Sequence, residues 1–237
     1  MDRIAAVFEG AMSMNGPFRF FILATLVPAV IGSAEAQTAA SELSVLAKPL
    51  GGEAVKTVHY SGSGSSYIVS SGSVPGGGWP HSVMKSYVRD LNLQLMTSKL
   101  QMVREEGTPP MPRTLNNGVD ATSPWSSQYE FWTTPHGFLR GALLYNATVG
   151  SKVVFGNPYK TVSFIVPGNH QVVGYINDKN QLERVETSIG ENGETIIEAQ
   201  FHEYADFDGI QFPTMITEKQ AGELSLILIV KEVRVTG

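Results

Sequence analysis

The clearest hydrophobic pattern in the chain is the alternation of apolar and polar residues over its last third. The predicted strands are Gln171 to Ile176, Leu182 to Ile189, Glu194 to Tyr204, Ile210 to Glu218 and a final strand that ends at Val235. Short polar segments separate them, including Asn-Gly and Asp-Gly pairs that accept the positive φ angles of tight hairpin turns. The pattern therefore predicts an antiparallel meander.

The faces of these strands can also be predicted. Within Glu194 to Tyr204, the residues Ile197, Ala199 and Phe201 share an apolar face, and the polar residues between them share the other. The run Leu224 to Val230, apolar except for Ser225, departs from this alternation. Because a strand that is apolar on both faces needs cover on both, this run predicts a strongly curved sheet with a helix in its concavity.

Strand-like runs also occupy the first half of the chain. They are Val55 to Tyr60, Tyr67 to Ser70, Val83 to Leu95 and Leu100 to Arg104. Alternation places Tyr87, Arg89 and Leu91 on one face of the third run and Met84 on the other. The stretch Gly107 to Pro124 is rich in Pro, Asn, Gly and Thr and is predicted to be a long loop.

Two helices are predicted. The first begins near Thr38, and its apolar residues Leu43, Leu46, Ala47 and Leu50 recur at helical spacing. The second has Thr134 as its cap, Pro135 in its first turn and an apolar stripe that starts at Phe138. The predicted fold class is thus mainly β (α+β), a half-barrel of curved antiparallel sheet packed around one or two helices, in a single domain over residues 37–237.

The amino terminus has the order of a secretory signal. Arg19 precedes the apolar stretch Phe20 to Ile31, and small residues follow at Ala34 and Ala36. We predict cleavage after Ala36. The apolar stretch is too short for a permanent membrane span.

The composition limits which cellular compartment and which classes of binding partner are expected. Hydrophobic residues make up 42% of the chain and charged residues 16%, which suffices for a core. The net charge of -5 and the lack of any basic run argue against nucleic-acid binding. The chain has no cysteine, so no disulfide can form, and an exported protein without disulfides fits a bacterial periplasm or secretion from a bacterium.

Several segments resemble one family, the amino-terminal domain of exported metallo-β-lactamase-fold hydrolases. The matching segments are Tyr60 to Gly64, Trp79-Pro80, Lys85 to Tyr87, Met102 to Arg104, Thr134 to Leu139 and Tyr204 to Thr214. That domain looks like the half-barrel of the periplasmic lipoprotein carriers (LolA and LolB), which agrees with the curvature predicted above. In such hydrolases a following domain with a His-x-His-x-Asp-His motif holds the zinc, and this chain shows no such motif.

The resemblance and the residues leave two functions open. The first is a non-catalytic exported domain that holds an apolar ligand or lipid, or docks a protein partner. The second is an accessory domain, or a fragment, of a zinc-dependent hydrolase whose catalytic domain lies elsewhere, in cis or in trans. No catalytic, cofactor-binding or metal-ligating residue is predicted in this chain, and zinc is expected only in such a partner domain.

The spacing of the histidines along the chain does not indicate a metal site. They are His59, His81, His136, His170 and His202, widely separated along the chain. A hydrolytic zinc site needs three protein ligands around an open position. His202 is therefore interpreted as part of a solvated strand face and His136 as a structural residue. The glycines of Ser61 to Gly64 lack the lysine of a phosphate-binding loop and favour a strand end or a bulge.

The aromatic residues are the more informative group. Those considered are Trp79, Tyr87, Trp125, Trp132 and Phe138. Their simplest role is ordinary core packing, because aromatic side chains bury large areas. The alternative is that some of them line an apolar groove between the curved sheet and a helix, which is a common place for a ligand.

Overall fold

The structure is a computed structural model that describes residues 40–67, 80–154 and 156–237. The predicted signal segment with its cleavage after Ala36, the cap Thr38, Trp79 and most of the predicted strand Tyr67 to Ser70 lie outside the described residues. Among the residues that are described, no helix has the length and hydropathy to cross a membrane.

Eleven strands form one antiparallel sheet that is not closed. They are β1 (Thr57–Tyr67), β2 (His81–Asn92), β3 (Thr97–Glu106), β4 (Met111–Val119), β5 (Thr148–Val154), β6 (Asn157–Val166), β7 (His170–Ile176), β8 (Leu182–Ile189), β9 (Thr195–Phe207), β10 (Ile210–Gln220) and β11 (Glu223–Thr236). Their order across the sheet is β4-β3-β2-β1-β11-β10-β9-β8-β7-β6-β5. Two meanders, β1 to β4 and β5 to β11, are thus joined where β1 pairs with β11, and the predicted meander of the last third is confirmed.

The helices of the described residues come from short segments between or before strands. Helix α1 covers residues 40–47 of the described chain and continues as a 3-10 turn, Lys48–Leu50. Helices α2 (Trp125–Trp132) and α3 (Pro135–Leu144) follow one another between β4 and β5. The predicted cap of α3 is confirmed, because the Thr134 hydroxyl accepts a hydrogen bond from the backbone N–H of Gly137 at 3.1 Å.

Helix α2 shows that the sheet is strongly curved. It contacts β3 and β4 on one side and β8 on the other. Seven inter-strand spacings separate β4 from β8, which is roughly 33 Å in a flat sheet. A helix of eight residues is only about 12 Å long. Both contacts are possible only because the sheet curls around the helix, as the sequence predicts.

Glycines let α3 lie directly on the inner face of the sheet. A Cβ atom on Gly174 of β7 would come within 2.2 Å of the Phe138 ring, and one on Gly141 of α3 within 2.4 Å of the Phe164 ring. Each aromatic ring therefore fills the space that a glycine leaves on the facing element. Phe138 is fully buried, so this contact fixes the depth and the rotation of α3.

The predicted long loop, Gly107 to Pro124, is wrong for half of its length. Residues Met111–Val119 form strand β4, which pairs with β3 throughout. Almost every side chain of β4 is exposed, since it is an edge strand held by backbone hydrogen bonds, so it carries no apolar alternation. An edge position also tolerates Pro112.

The first two strands need smaller corrections. Ser61 to Gly64 does not end a strand but lies inside the single strand β1, which has register shifts on both sides of Gly62. The predicted bulge is therefore confirmed. In β2 a further shift between Met84 and Ser86 turns Met84 to the buried face that it shares with Tyr87, because a bulge reverses the alternation of side chains.

The apolar run in β11 is fully covered on one face only among the described residues. Leu226, Leu228 and Val230 are buried on the inner face. Ile229 on the outer face is 44% exposed. The run thus predicted the curvature of the sheet correctly, and the described residues cover its outer face only in part.

We expect Gly174→Ala to destabilise the protein by about 1–3 kcal/mol, because the added methyl group overpacks the Phe138 contact. Urea denaturation followed by tryptophan fluorescence measures this change. Gly118→Ala in β4 is the matched control, since a Cβ atom there meets nothing closer than 4.0 Å, and we expect it to alter stability by less than about 1 kcal/mol. Equal effects of the two substitutions would show that α3 is not fixed by this contact.

Candidate ligand-binding site

The predicted aromatic groove residues do not share one open surface. Tyr87, Trp132 and Phe138 are at most 2% exposed and belong to the core between the sheet and the helices. Trp125 is half-buried at the start of α2, and Trp79 is not described. A ligand could reach the three buried rings only if α2 or α3 moved away from the sheet.

Tyr87 belongs to a buried polar cluster that holds α2. The Arg89 guanidinium donates hydrogen bonds from Nε to the Tyr87 hydroxyl at 2.6 Å, and from another nitrogen to the Glu130 carbonyl at 3.1 Å. It also forms an ion pair with the Glu130 carboxylate at 3.3 Å. Burial raises the pKa of Tyr87 well above its ordinary value, although Arg89 opposes this shift, so the hydroxyl stays neutral. The cluster is a structural anchor.

Trp125 anchors the other end of α2. Its indole N–H donates to the Ser188 carbonyl at 2.6 Å. Its ring stacks on His170 with centroids 4.2 Å apart and an interplanar angle of 1°. His170 begins β7, and Ser188 lies near the end of β8. Together with the Arg89 cluster on β2, these contacts fix α2 to both sides of the curved sheet.

A pocket of about 230 Å³ lies beside α3, away from these buried rings. It is lined by Gly52, Glu53, Ala54, Val55, Lys56, Leu93, Gln94, His136, Leu139, Arg140 and Leu143. The segment between α1 and β1 forms one wall, the turn between β2 and β3 another, and α3 the third. His136, Leu139, Arg140 and Leu143 follow the spacing i, i+3, i+4 and i+7, which places them on one helix face.

The walls of the pocket combine apolar and cationic groups. Val55, Leu93, Leu139 and Leu143 supply the apolar surface. Lys56 and Arg140 supply two positive charges against the single carboxylate of Glu53. The pocket is therefore positive on balance in a chain whose net charge is -5, and such a site favours an anionic molecule with an apolar part.

His136 is the most unusual group in this pocket. It is 1% exposed, and its ring stacks on Phe212 with centroids 5.8 Å apart. Its Nε2 lies 2.9 Å from the Leu50 carbonyl oxygen, and since a carbonyl only accepts, Nε2 carries the proton. Burial lowers the pKa of His136 to about 4, opposed by the bond to Leu50. The imidazole is therefore neutral at pH 7, and its Nδ1 is an acceptor without a hydrogen-bond partner.

The other candidate side chains are used structurally or lie on the surface. His202 is half-buried on the outer face of β9, and its Nε2 lies 3.1 Å from the Thr217 hydroxyl. Across residues 40–67, 80–154 and 156–237, no group of three or more His, Asp or Glu side chains is placed to hold a metal ion.

Sequence reasoning did not single out Arg140, Lys56 or Leu93 as site residues. The helical spacing of His136, Leu139, Arg140 and Leu143 was available as a signal, because it puts two polar side chains beside two leucines on one face. The other walls come from distant parts of the chain and have no local signature.

Comparisons with known proteins identify solved structures that align with most of this chain. No protein-family profile matches the chain, and no curated protein matches its sequence. A DUF1329 family protein from Desulfovibrio piger aligns over 86% of this chain and 92% of its own, with a TM-score of 0.45 and 11% identity. A LolA superfamily protein from Nitrosomonas europaea aligns over 86% and 94%, with a TM-score of 0.44 and 11% identity. Similarity at this level assigns neither a family nor a function, which must follow from the chain's own residues.

We expect the pH dependence of stability to report on His136. In the unfolded chain this group takes up a proton near its ordinary pKa of 6.5, but in the folded chain only near 4. The unfolded state therefore binds more protons between these values, and the free energy of unfolding should fall by about 3 kcal/mol through this group between pH 7 and pH 4.

The measurement is urea denaturation of the wild type and of His136→Gln at both pH values. The variant has no imidazole to titrate, so its stability should fall by about 3 kcal/mol less. Identical losses in the two proteins would mean that His136 titrates normally in the folded state.

Proposed function

We propose that this chain is an exported, non-catalytic binding domain that holds a small amphiphilic molecule in the pocket beside α3. The observation that carries the proposal is the pocket itself, which leucines from α3 and the β2–β3 turn line together with the cationic side chains of Lys56 and Arg140. Apolar walls with a few convergent polar groups are typical of small-molecule sites.

The size of the pocket limits the ligand. A volume of about 230 Å³ corresponds to roughly eight water molecules and lies below the range of about 300–1,000 Å³ usual for larger ligands. A short molecule with one alkyl chain fits. One end of a longer alkyl chain also fits if its remainder stays outside the pocket. A complete lipid would require the helices to leave the inner face of the sheet, where Phe138 and Trp132 now fill the space.

The amino-terminal pattern and the absence of cysteine support export to a bacterial periplasm or beyond. The accessory role beside a zinc-dependent hydrolase domain remains a prediction from the family resemblance alone. None of the contacts among the described residues favours it over ligand binding.

We expect 1-hexanol, as a simple apolar probe, to shift the NMR signals of the Leu139 and Leu143 methyl groups on titration. Leu143→Glu should weaken this binding at least tenfold, because a carboxylate in the pocket loses hydration when the probe enters. The matched control is Leu144→Glu, the same change at the next residue of the helix, where the side chain is 41% exposed and does not line the pocket.

Retained binding in Leu144→Glu and loss in Leu143→Glu would support the pocket as the site. If the probe shifts neither leucine in the wild type, or if both variants bind alike, this pocket is not the binding site.

A further inference from the structure

We infer that the concave side of the sheet holds a second binding site, in which the carboxylate of Glu218 and the hydroxyl of Tyr129 bind the head group of a short alkylammonium ion. This site is separate from the pocket beside α3, which neither residue lines. It follows from two polar groups that are accessible and that have no partner among the described residues.

Glu218 lies on the inner face of the sheet, among apolar side chains. Its neighbours across β10 are Ala199 on β9 and Leu226 on β11, and both are buried. Thr217, the residue before it, points the other way and contacts His202 on the outer face. A carboxylate in apolar surroundings loses part of its hydration, so a cation beside it is favoured.

No described side chain pairs with this carboxylate. Among the described residues, Glu218 forms neither a hydrogen bond nor an ion pair. Burial raises its pKa and the charge of Arg89 opposes this shift, but the Arg89 guanidinium donates its hydrogen bonds to Tyr87, Ser98 and Glu130 instead. Glu218 is half-buried, and neither of its carboxylate oxygens is enclosed. A small cation can therefore reach it.

Tyr129 of α2 is the second group. Burial raises its pKa, and the charges of Glu218 and Glu130 raise it further. Since such effects weaken with distance, its hydroxyl lies near both carboxylates. The hydroxyl has no partner among the described residues, and Tyr129 is only half-buried.

These groups match an alkylammonium ion. An ammonium group has three N–H donors, which the free carboxylate of Glu218 and the hydroxyl oxygen of Tyr129 can accept. The tyrosine ring also attracts a cation to its face. The apolar neighbours Ala199 and Leu226 suit an alkyl chain, and a carboxylate ligand would be repelled by Glu218.

The stability of Glu218→Gln tests whether the carboxylate lacks a partner. A raised pKa means that the folded chain holds this proton more tightly than the unfolded chain, so the ionised group costs stability at pH 7. We expect Glu218→Gln to raise the urea midpoint at pH 7. Glu191→Gln, at an exposed glutamate in the turn before β9, should leave it unchanged. A lower midpoint in Glu218→Gln would contradict the inference.

The binding test is a titration with n-hexylammonium at pH 7, followed by the ring NMR signals of Tyr129. We expect Glu218→Gln to weaken binding about tenfold, because it removes a charge-assisted hydrogen bond. Tyr129→Phe keeps the ring, loses the hydroxyl, and should weaken binding about threefold. Glu191→Gln should bind as the wild type does.

The outcomes separate this site from the pocket beside α3. If n-hexylammonium shifts no Tyr129 signal in the wild type, or binds Glu218→Gln and Glu191→Gln equally, the inference is wrong. A loss confined to Glu218→Gln and Tyr129→Phe supports it. Binding of 1-hexanol at Leu143 tests the proposed function alone, and we expect Glu218→Gln to leave it intact.

Discussion

The curl of the sheet around α2 and α3 is the constraint on which the rest of the structure depends. Helix α2 is fixed at one end through Arg89 and at the other through the hydrogen bond from Trp125 to Ser188. These bonds connect strands that lie far apart in the order of the sheet. Removing one partner of a buried charge pair costs stability. The cluster around Arg89 therefore keeps the strands on the two sides of α2 at a fixed separation.

The pocket is a consequence of where this arrangement leaves α3. Phe138 faces the sheet over Gly174, so the helix face with His136, Leu139, Arg140 and Leu143 points along the sheet instead. The chain between α1 and β1 closes this side, because the Leu50 carbonyl accepts the hydrogen bond from His136. One interlocked aromatic ring thus determines which helix face remains available for a ligand.

The polar groups around Arg89 and those of α3 differ in how many of their hydrogen bonds are formed. The cluster around Arg89 is internally paired, with Tyr87, Ser98 and Glu130 as acceptors for the guanidinium. A paired cluster of this kind stabilises one arrangement of the elements. His136 and Arg140 instead each retain a nitrogen without a partner next to an apolar wall. Both nitrogens are also buried, so a ligand in the pocket does not supply their partner.

The sequence by itself determined the parts of the fold that depend on local chemistry. Positive-φ residues at Gly193 and Gly209 fixed hairpin turns, Thr134 fixed the start of α3, and the alternation of Ile197, Ala199 and Phe201 fixed the buried face of β9. The apolar run of β11 also indicated curvature. These features could be predicted because each arises from neighbouring residues in one element.

Tertiary structure alone decided the edge strand β4, the reversal of Met84 and the composition of the pocket. Strand β4 is held by its backbone pairing with β3, and its exposed side chains carry no pattern. The bulge that turns Met84 inward depends on the register with the neighbouring strand. The pocket joins α3 to Lys56 and Leu93, which are distant in sequence. Contacts of this kind follow from the curvature of the sheet around the helices, and no local pattern of residues specifies them.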